Sequence, residues 1–320
     1  MKLLVVGIFA GGAFWAAAQD KGAPPDGLGP RFQWEAKAPW GLTHRDALVE
    51  AVKLTGMNPT NVDAVRVEPF KIFDNLYYVG IKHVSAFLMT TSDGLVLLDA
   101  LLPDTSNLLF ENIRKMGFRP EQVKYVLISH SHPDHFGGAS AVKEISGARV
   151  VMSREDWDSV EQQQQQAAAK GGRGMGVPLK RDIVKGEGDT LKVGDQEFKF
   201  YFTPGHAPGA LSAEFRVFDR GKSYRAVSPG GLGTQFPPDM TDKYIAGIEH
   251  LKALGPWDVI IADHPFYMLP DMAEIRRGVA NLGNSPHPLV TGPAKINEWF
   301  DGILKVAREK RAAEESQTKK

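Results

Sequence analysis

The stretch Val126–Gly138, VLISHSHPDHFGG, decides how the chain is read. Three histidines and an aspartate, His130, His132, Asp134 and His135, fall within six positions where an apolar run gives out. The run KYVLIS (124–129) predicts a short buried strand, and GASAVKEISG (138–147) predicts a helix just beyond it. A strand end followed by a tight turn aims several side chains at one spot with little loss of rotamer freedom. Imidazole nitrogens and a carboxylate are the donors that zinc and similar ions take. The helix N-terminus favours a bound anion or hydroxide nearby. Gly137 and Gly138 allow close backbone approach there.

Two further histidines have the same setting. His206 follows the strand-like FKFYFTPG, and His264 follows WDVIIAD. A lone histidine is usually a hydrogen-bonded core or surface group, and His44, His83, His250 and His287 are read that way. For the five at strand ends, ligand type, clustering and context agree on metal binding.

Composition sets the outer bounds. The chain has 320 residues, 42% of them hydrophobic and 24% charged, enough for one large globular domain or two small ones. Lys+Arg and Asp+Glu both number 38, and no basic stripe marks a nucleic-acid face. No cysteine occurs, which excludes disulfides, thiol chemistry and thiolate ligands.

Along the chain, Lys2, the apolar run Leu3–Trp15 and Ala16-Ala17-Ala18 predict a secretory signal over 1–18, cleaved near Ala18. An N-terminal arm over 19–64 follows, with a short helix in THRDALVEAVKLTG (43–56). The main domain is expected over 65–315 and a frayed tail over 316–320. LYYVGI, VSAFLMTT and GLVLLDAL read as a strand meander, and DTSNLLFENIRKMG (104–117) as a helix capped by Asp104. In the irregular middle, 154–182 starts as a helix and dissolves into glycine; the run Gln162–Gln166 is either a solvated helix end or part of a loop over a cleft. Gly194-Asp195 marks a hairpin. ALSAEFRVF and SYRAVS are strands, 240–254 a helix, WDVIIAD (257–263) a strand and 292–315 a closing amphipathic helix. The order predicts an α/β fold with two sheets packed between helical layers.

HSHPDH, TPGHAPGA and ADHP together resemble the metallo-β-lactamase superfamily, over about Val65 to Phe300. The resemblance implies an αββα sandwich with two zinc ions per chain. It places one zinc on His130, His132 and His206, and the second on Asp134, His135 and His264, with Asp134 also orienting the attacking hydroxide.

Branches of this superfamily differ between the last two histidines. Thioesterase and lactonase members carry a metal-bridging aspartate at the end of the intervening strand, and first-subclass lactamases a cysteine. Here the strand ends in Ser228-Pro229-Gly230, and Asp219 sits in a turn before it. A serine at this place is similar to the third subclass. That subclass typically has Asp-Ser-x-Ser, whereas this chain has Val227-Ser228-Pro229-Gly230 followed by Gly231-Leu232-Gly233, so the substrate-carboxylate site is altered. The resemblance therefore implies an exported, periplasmic or secreted, di-zinc hydrolase that opens β-lactam rings by hydroxide attack on the amide carbonyl. A related hydrolase of another amide, lactone or ester is the alternative, and a metal-binding protein without turnover a third. A small molecule is the expected partner; nucleic acid and a stable membrane span are not. Substrate contacts are expected from Ser228, Gly230, Gly231, Trp40 and Phe236, with a backbone N–H of 230–233 at the oxyanion. Trp34, Trp40, Met175, Val177 and Phe236 either line a cleft or pin the arm to the body.

Overall fold

The computed structural model describes residues 62–169 and 178–318. The expected signal, nearly all of the expected arm with the helix read in it, and Trp34, Trp40, Met175 and Val177 lie outside the described residues.

Two mixed sheets form the middle of the molecule. In the first, β1 (Phe70–Phe73), β2 (Leu76–Tyr78), β3 (Phe87–Thr91) and β4 (Gly94–Leu98) make an antiparallel meander. β5 (Val123–Leu127), β6 (Arg149–Met152) and β7 (Ile183–Val184) extend it in parallel. Parallel neighbours need crossovers, which are α1 (Ser106–Lys115), α3 (Ala139–Ser146) and α4 (Arg154–Ala169). Leu95–Leu98 and Val150–Met152 are buried without alternation, as strands covered on both faces must be. A four-residue helix, α2 (Pro133–Phe136), interrupts the path from β5 to α3.

The second sheet runs β12-β11-β10-β9-β8. β8 (Thr190–Val193), β9 (Gln196–Phe202), β10 (Leu211–Asp219) and β11 (Lys222–Ser228) are antiparallel, and β12 (Val259–Ile260) joins β11 in parallel. β9 alternates, so Phe198 and Phe200 enter the core while Glu197 and Lys199 face out.

One apolar cluster fills the space between the sheets and continues under α5 (Thr241–Ala253) and α7 (Pro293–Thr318), through Phe215, Val227, Ile248, Trp299 and Phe300. A second lies on the outer face of the first sheet, where Leu109, Ile113, Val142 and Trp157 cover Leu97, Val126 and Val150. Helices thus flank two sheets, the αββα order expected. A remaining helix, α6 (Met272–Ala280), is N-capped by Asp271, whose carboxylate accepts from Glu274 N at 2.8 Å.

Some element ends differ from expectation. The helix expected over 104–117 begins as a 3-10 turn at Pro103–Thr105, and Thr105, not Asp104, is the N-cap of α1. WDVIIAD gives only two paired residues, because the edge strand leaves the sheet where Ala262 N turns to Met268 Sδ. Gln162–Gln166 are helical, within α4. α7 runs to Thr318, through residues expected to fray. No helix of the described residues is long and apolar enough to cross a membrane.

Candidate metal centre

The five strand-end histidines and Asp134 meet at one place. His130 and His132 lie in the turn after β5; Pro133 starts α2 at its first position, where a missing N–H costs nothing, and Asp134 and His135 follow on that helix. His206 sits in the β9–β10 loop and His264 after β12. The imidazoles of His130, His132 and His206 form a triangle with all three centroid separations at 4.7 Å. The donor atoms of His130, His132 and His206 lie within 4.8 Å of one another, as do those of Asp134, His135 and His264.

Facing donors are spaced as ligands of one ion. His130 Nε2 is 3.1 Å from His132 Nδ1, and His135 Nε2 is 3.3 Å from His264 Nε2. Two nitrogens bound tetrahedrally at zinc distances stand about 3.3 Å apart. Asp134 Oδ2 is 3.4 Å from His135 Nε2 and 3.9 Å from His264 Nε2. The donor set of imidazole nitrogens and one carboxylate, with no thiolate, fits zinc or a similar borderline ion.

The nitrogens turned away from the centre are held. His206 Nδ1 meets Gly233 O at 3.1 Å and His264 Nδ1 meets His83 O at 2.7 Å. A carbonyl only accepts, so each Nδ1 carries the proton and the Nε2 lone pair is the one presented to a metal. Asp99 Oδ2 accepts from His135 Nδ1 at 2.8 Å and from Ser129 Oγ at 2.8 Å, and Ser129 Oγ is 3.0 Å from His130 Nδ1. With Ser129 donating to Asp99, His130 Nδ1 donates to Ser129, and one carboxylate orients a histidine of each donor group.

Charge at the site follows burial. Burial, reinforced by the neighbouring histidines, drives His130 well below the usual histidine range. Burial also outweighs the Asp134 charge at His132, lowering it to about 4. Burial opposes ionisation of Asp134, but the charges of His135 and His264 and the His135 hydrogen bond prevail and hold its carboxyl well below the usual range. At His135 burial favours the neutral ring, yet Asp134 and Asp99 override it and raise the group. Buried Asp263 is pushed up to about 7, only partly offset by His135.

The expected substrate contacts fare differently. Gly230 and Gly231 are buried, and the segment is spent on the interior: Gly230 N donates to Ser212 Oγ, Leu232 N to Asp263 Oδ2 and Gly233 N to Tyr244 Oη. These three N–H groups are therefore not available to an oxyanion. Gly231 has φ +80°, and a Cβ there would stand 3.0 Å from His206 Cβ, so the loop presses on a donor ring. Phe236 is buried against Tyr244 beneath Lys310, a packing position among the described residues. Ser228 lines a small cavity behind the centre. Gly138 makes its close approach to Ala100, where a Cβ would lie 2.2 Å from the carbonyl oxygen.

Supporting groups were missed in the sequence. Asp99 carries the signal of a polar residue closing an apolar strand, and it has the uncommon left-handed φ of 56°. Asp156 Oδ1 accepts from Ser131 Oγ at 2.8 Å and Gly209 N at 2.9 Å, and Gln163 donates to Ser131 O at 2.9 Å. α4 thereby braces the HSHPDH turn, so the glutamine run is neither simply solvated nor a loop. Asp263 had no signal beyond its place beside His264. Of the histidines set aside, His287 stacks on Phe73 and donates to Ile72 O, and His250 pairs with Glu187.

Comparison with known proteins agrees with the geometry. Residues 79–217 match the model of the metallo-β-lactamase superfamily. Among solved structures, BJP-1, a subclass B3 metallo-β-lactamase of Bradyrhizobium japonicum, superposes with a TM-score of 0.68 at 27% identity, covering 80% of this chain and 97% of that one. Among curated proteins, an N-acyl homoserine lactonase of Bacillus cereus is 24% identical over 40% of this chain, which spans 56% of the lactonase. The hydroxyacylglutathione hydrolase GloC of Haemophilus influenzae is 29% identical over 45% of this chain and 70% of that protein. The chain carries a metallo-β-lactamase superfamily domain, with the fold of the subclass B3 enzymes.

Proposed function

We propose that the protein is an exported di-zinc hydrolase that opens the ring of β-lactams. The observation that carries this reading is the pair of three-donor groups, His130–His132–His206 and Asp134–His135–His264, each spanning less than 4.8 Å and side by side. Likeness to subclass B3 lactamases over most of the chain supports the substrate class. The histidines and Asp134 would hold the ions, which supply Lewis acidity and a water deprotonated at neutral pH.

The chain's own residues do the rest. Nδ1–H tautomers fixed by Gly233 O, His83 O and Asp99 present Nε2 as donor on His206, His264 and His135. Asp134, partly open to solvent, stays ionised and accepts a hydrogen bond from the attacking water. Its place at the edge of the donor group, 3.4 Å from His135 Nε2, makes it an orienting group. Buried rings behind it exclude bulk water, which strengthens each of these interactions.

A second reading, a lactonase or thioesterase, is favoured by the likeness to the Bacillus lactonase and the Haemophilus hydrolase. A panel on metal-loaded protein separates them: a penicillin, a cephalosporin, a carbapenem, an acyl-homoserine lactone and a glutathione thioester, each with and without chelator. Chelator-sensitive lactam opening supports the proposal. Turnover of the lactone or thioester alone replaces it with the second reading, and stoichiometric metal without any turnover leaves a metal-binding protein.

A further inference from the structure

Behind the donor histidines, on the side away from solvent, lies a group that the proposed chemistry does not use. Asp263 is 2% exposed and comes from the segment after β12, one residue before His264. Its carbonyl oxygen accepts from Ser85 N at 2.9 Å and its Oδ2 from Leu232 N at 3.1 Å, so its main chain and side chain are both fixed. Oδ2 stands 3.9 Å from His130 Nδ1, beyond hydrogen-bond reach. The carboxylate oxygen also falls within 4.8 Å of donor atoms of His130 and His135.

Asp263 Oδ1 is buried with no hydrogen-bond partner. An orphaned carboxylate oxygen is costly, on the order of 1–3 kcal/mol or more, unless something unseen satisfies it. A cavity of about 20 Å³ adjoins it, lined also by Ser85, Asp99, Ser129 and Ser228 among apolar side chains. A single water needs about 10–15 Å³ and two to four polar partners, and this cavity supplies both. The cavity is the meeting point of β11, which ends in Ser228 and brings no acid, and the strand parallel to it, which brings Asp263. His135 Nδ1 donates to Asp99 and His130 Nδ1 to the Ser129 hydroxyl, and Ser129 lines the cavity beside Asp263. Asp263 therefore bears on His130.

We propose that Asp263, through a water in this cavity and the Ser129 hydroxyl that lines it, is a positioning residue that holds the His130 imidazole from behind and sets the metal affinity of the His130–His132–His206 group. The inference rests on the metal centre proposed above. Groups that position a ligand in this way typically contribute 10–100-fold to metal affinity.

The test compares wild type with Asp263→Asn, which keeps size and the acceptor for Leu232 N. Zinc affinity is resolved into two steps by competition with a chromophoric chelator, and the unfolding midpoint is measured on metal-free protein. The expected result is a 10–100-fold loss in one step with the other within about threefold, and a metal-free midpoint close to wild type. Loss of midpoint with both affinities intact would mean a merely structural role and overturns the inference. If Asp263→Asn does not fold, a crystal structure of the zinc-loaded wild type decides: a water within hydrogen-bond distance of Asp263 Oδ1 supports the inference, and a dry cavity overturns it. A wild type that takes up no zinc overturns the proposed function and this inference with it, whereas a loading wild type and an unaltered Asp263→Asn overturn this inference alone.

Discussion

Asp99→Asn is the perturbation with the widest reach. Asp99 accepts three hydrogen bonds, from Ser129 N at 2.7 Å, Ser129 Oγ at 2.8 Å and His135 Nδ1 at 2.8 Å. Its φ of 56° is one that asparagine adopts as readily, so the substitution changes the carboxylate and leaves the backbone alone. The amide retains one acceptor oxygen and turns an NH2 toward groups that are themselves donors. Whichever way it faces, at least one of the three bonds is lost and one donor opposes another. Loss of an orienting carboxylate costs about 10–100-fold in metal affinity, or about 1.4–2.7 kcal/mol. The larger loss is expected in the group containing His135, which Asp99 touches directly, and a smaller one in the group containing His130, reached through Ser129. Chelator competition on metal-free protein reads both affinities. Wild-type affinity in both groups would refute the idea that one carboxylate orients a histidine of each.

Further expectations concern single residues. Asp134→Ala should abolish turnover and weaken metal binding by the Asp134–His135–His264 group; normal activity in that variant would remove its assigned role. Gly231→Ala meets a φ of +80° and a His206 ring 3.0 Å away, and should cost about 1–3 kcal/mol in stability, read by denaturant melts, together with metal affinity in the His206 group. Asp182 gives the acid side of the stability profile. Burial raises its proton affinity, but hydrogen bonds from Lys143, Arg149 and Val150 N prevail, so its folded pKa lies below its unfolded one. Its stabilisation is therefore complete above an unfolded pKa of about 3.9 and is lost as pH falls through the lower folded value. Asp182→Asn should flatten that part of the melt-versus-pH curve, and an unchanged curve would discount the pair.

Much of the scaffold was legible because local pattern and tertiary outcome agree. β5, α3 and the Gly194-Asp195 hairpin follow from runs, caps and turns that need no distant partner. The donor residues were legible for a related reason, since each one ends a strand in a polar cluster. What holds those donors was not. Asp99 reaches His135 across 36 positions and Asp156 reaches Gly209 across 53, and no periodicity links such pairs. The partners of the 230–233 backbone were illegible for the same reason. Only the fold shows that the N–H groups of Gly230, Leu232 and Gly233 turn inward to Ser212, Asp263 and Tyr244. Phe236 illustrates the general hazard, because an aromatic beside a functional loop packs into the core as easily as it lines a cleft.

The central claim is that two donor groups hold two ions. Elemental analysis of zinc-loaded protein after gel filtration tests it most directly, on wild type, a His132→Ala/His206→Ala variant and an Asp134→Ala/His264→Ala variant. The account predicts two zinc ions per wild-type chain and one in each variant. One ion or none in the wild type, or two retained in either variant, would contradict it.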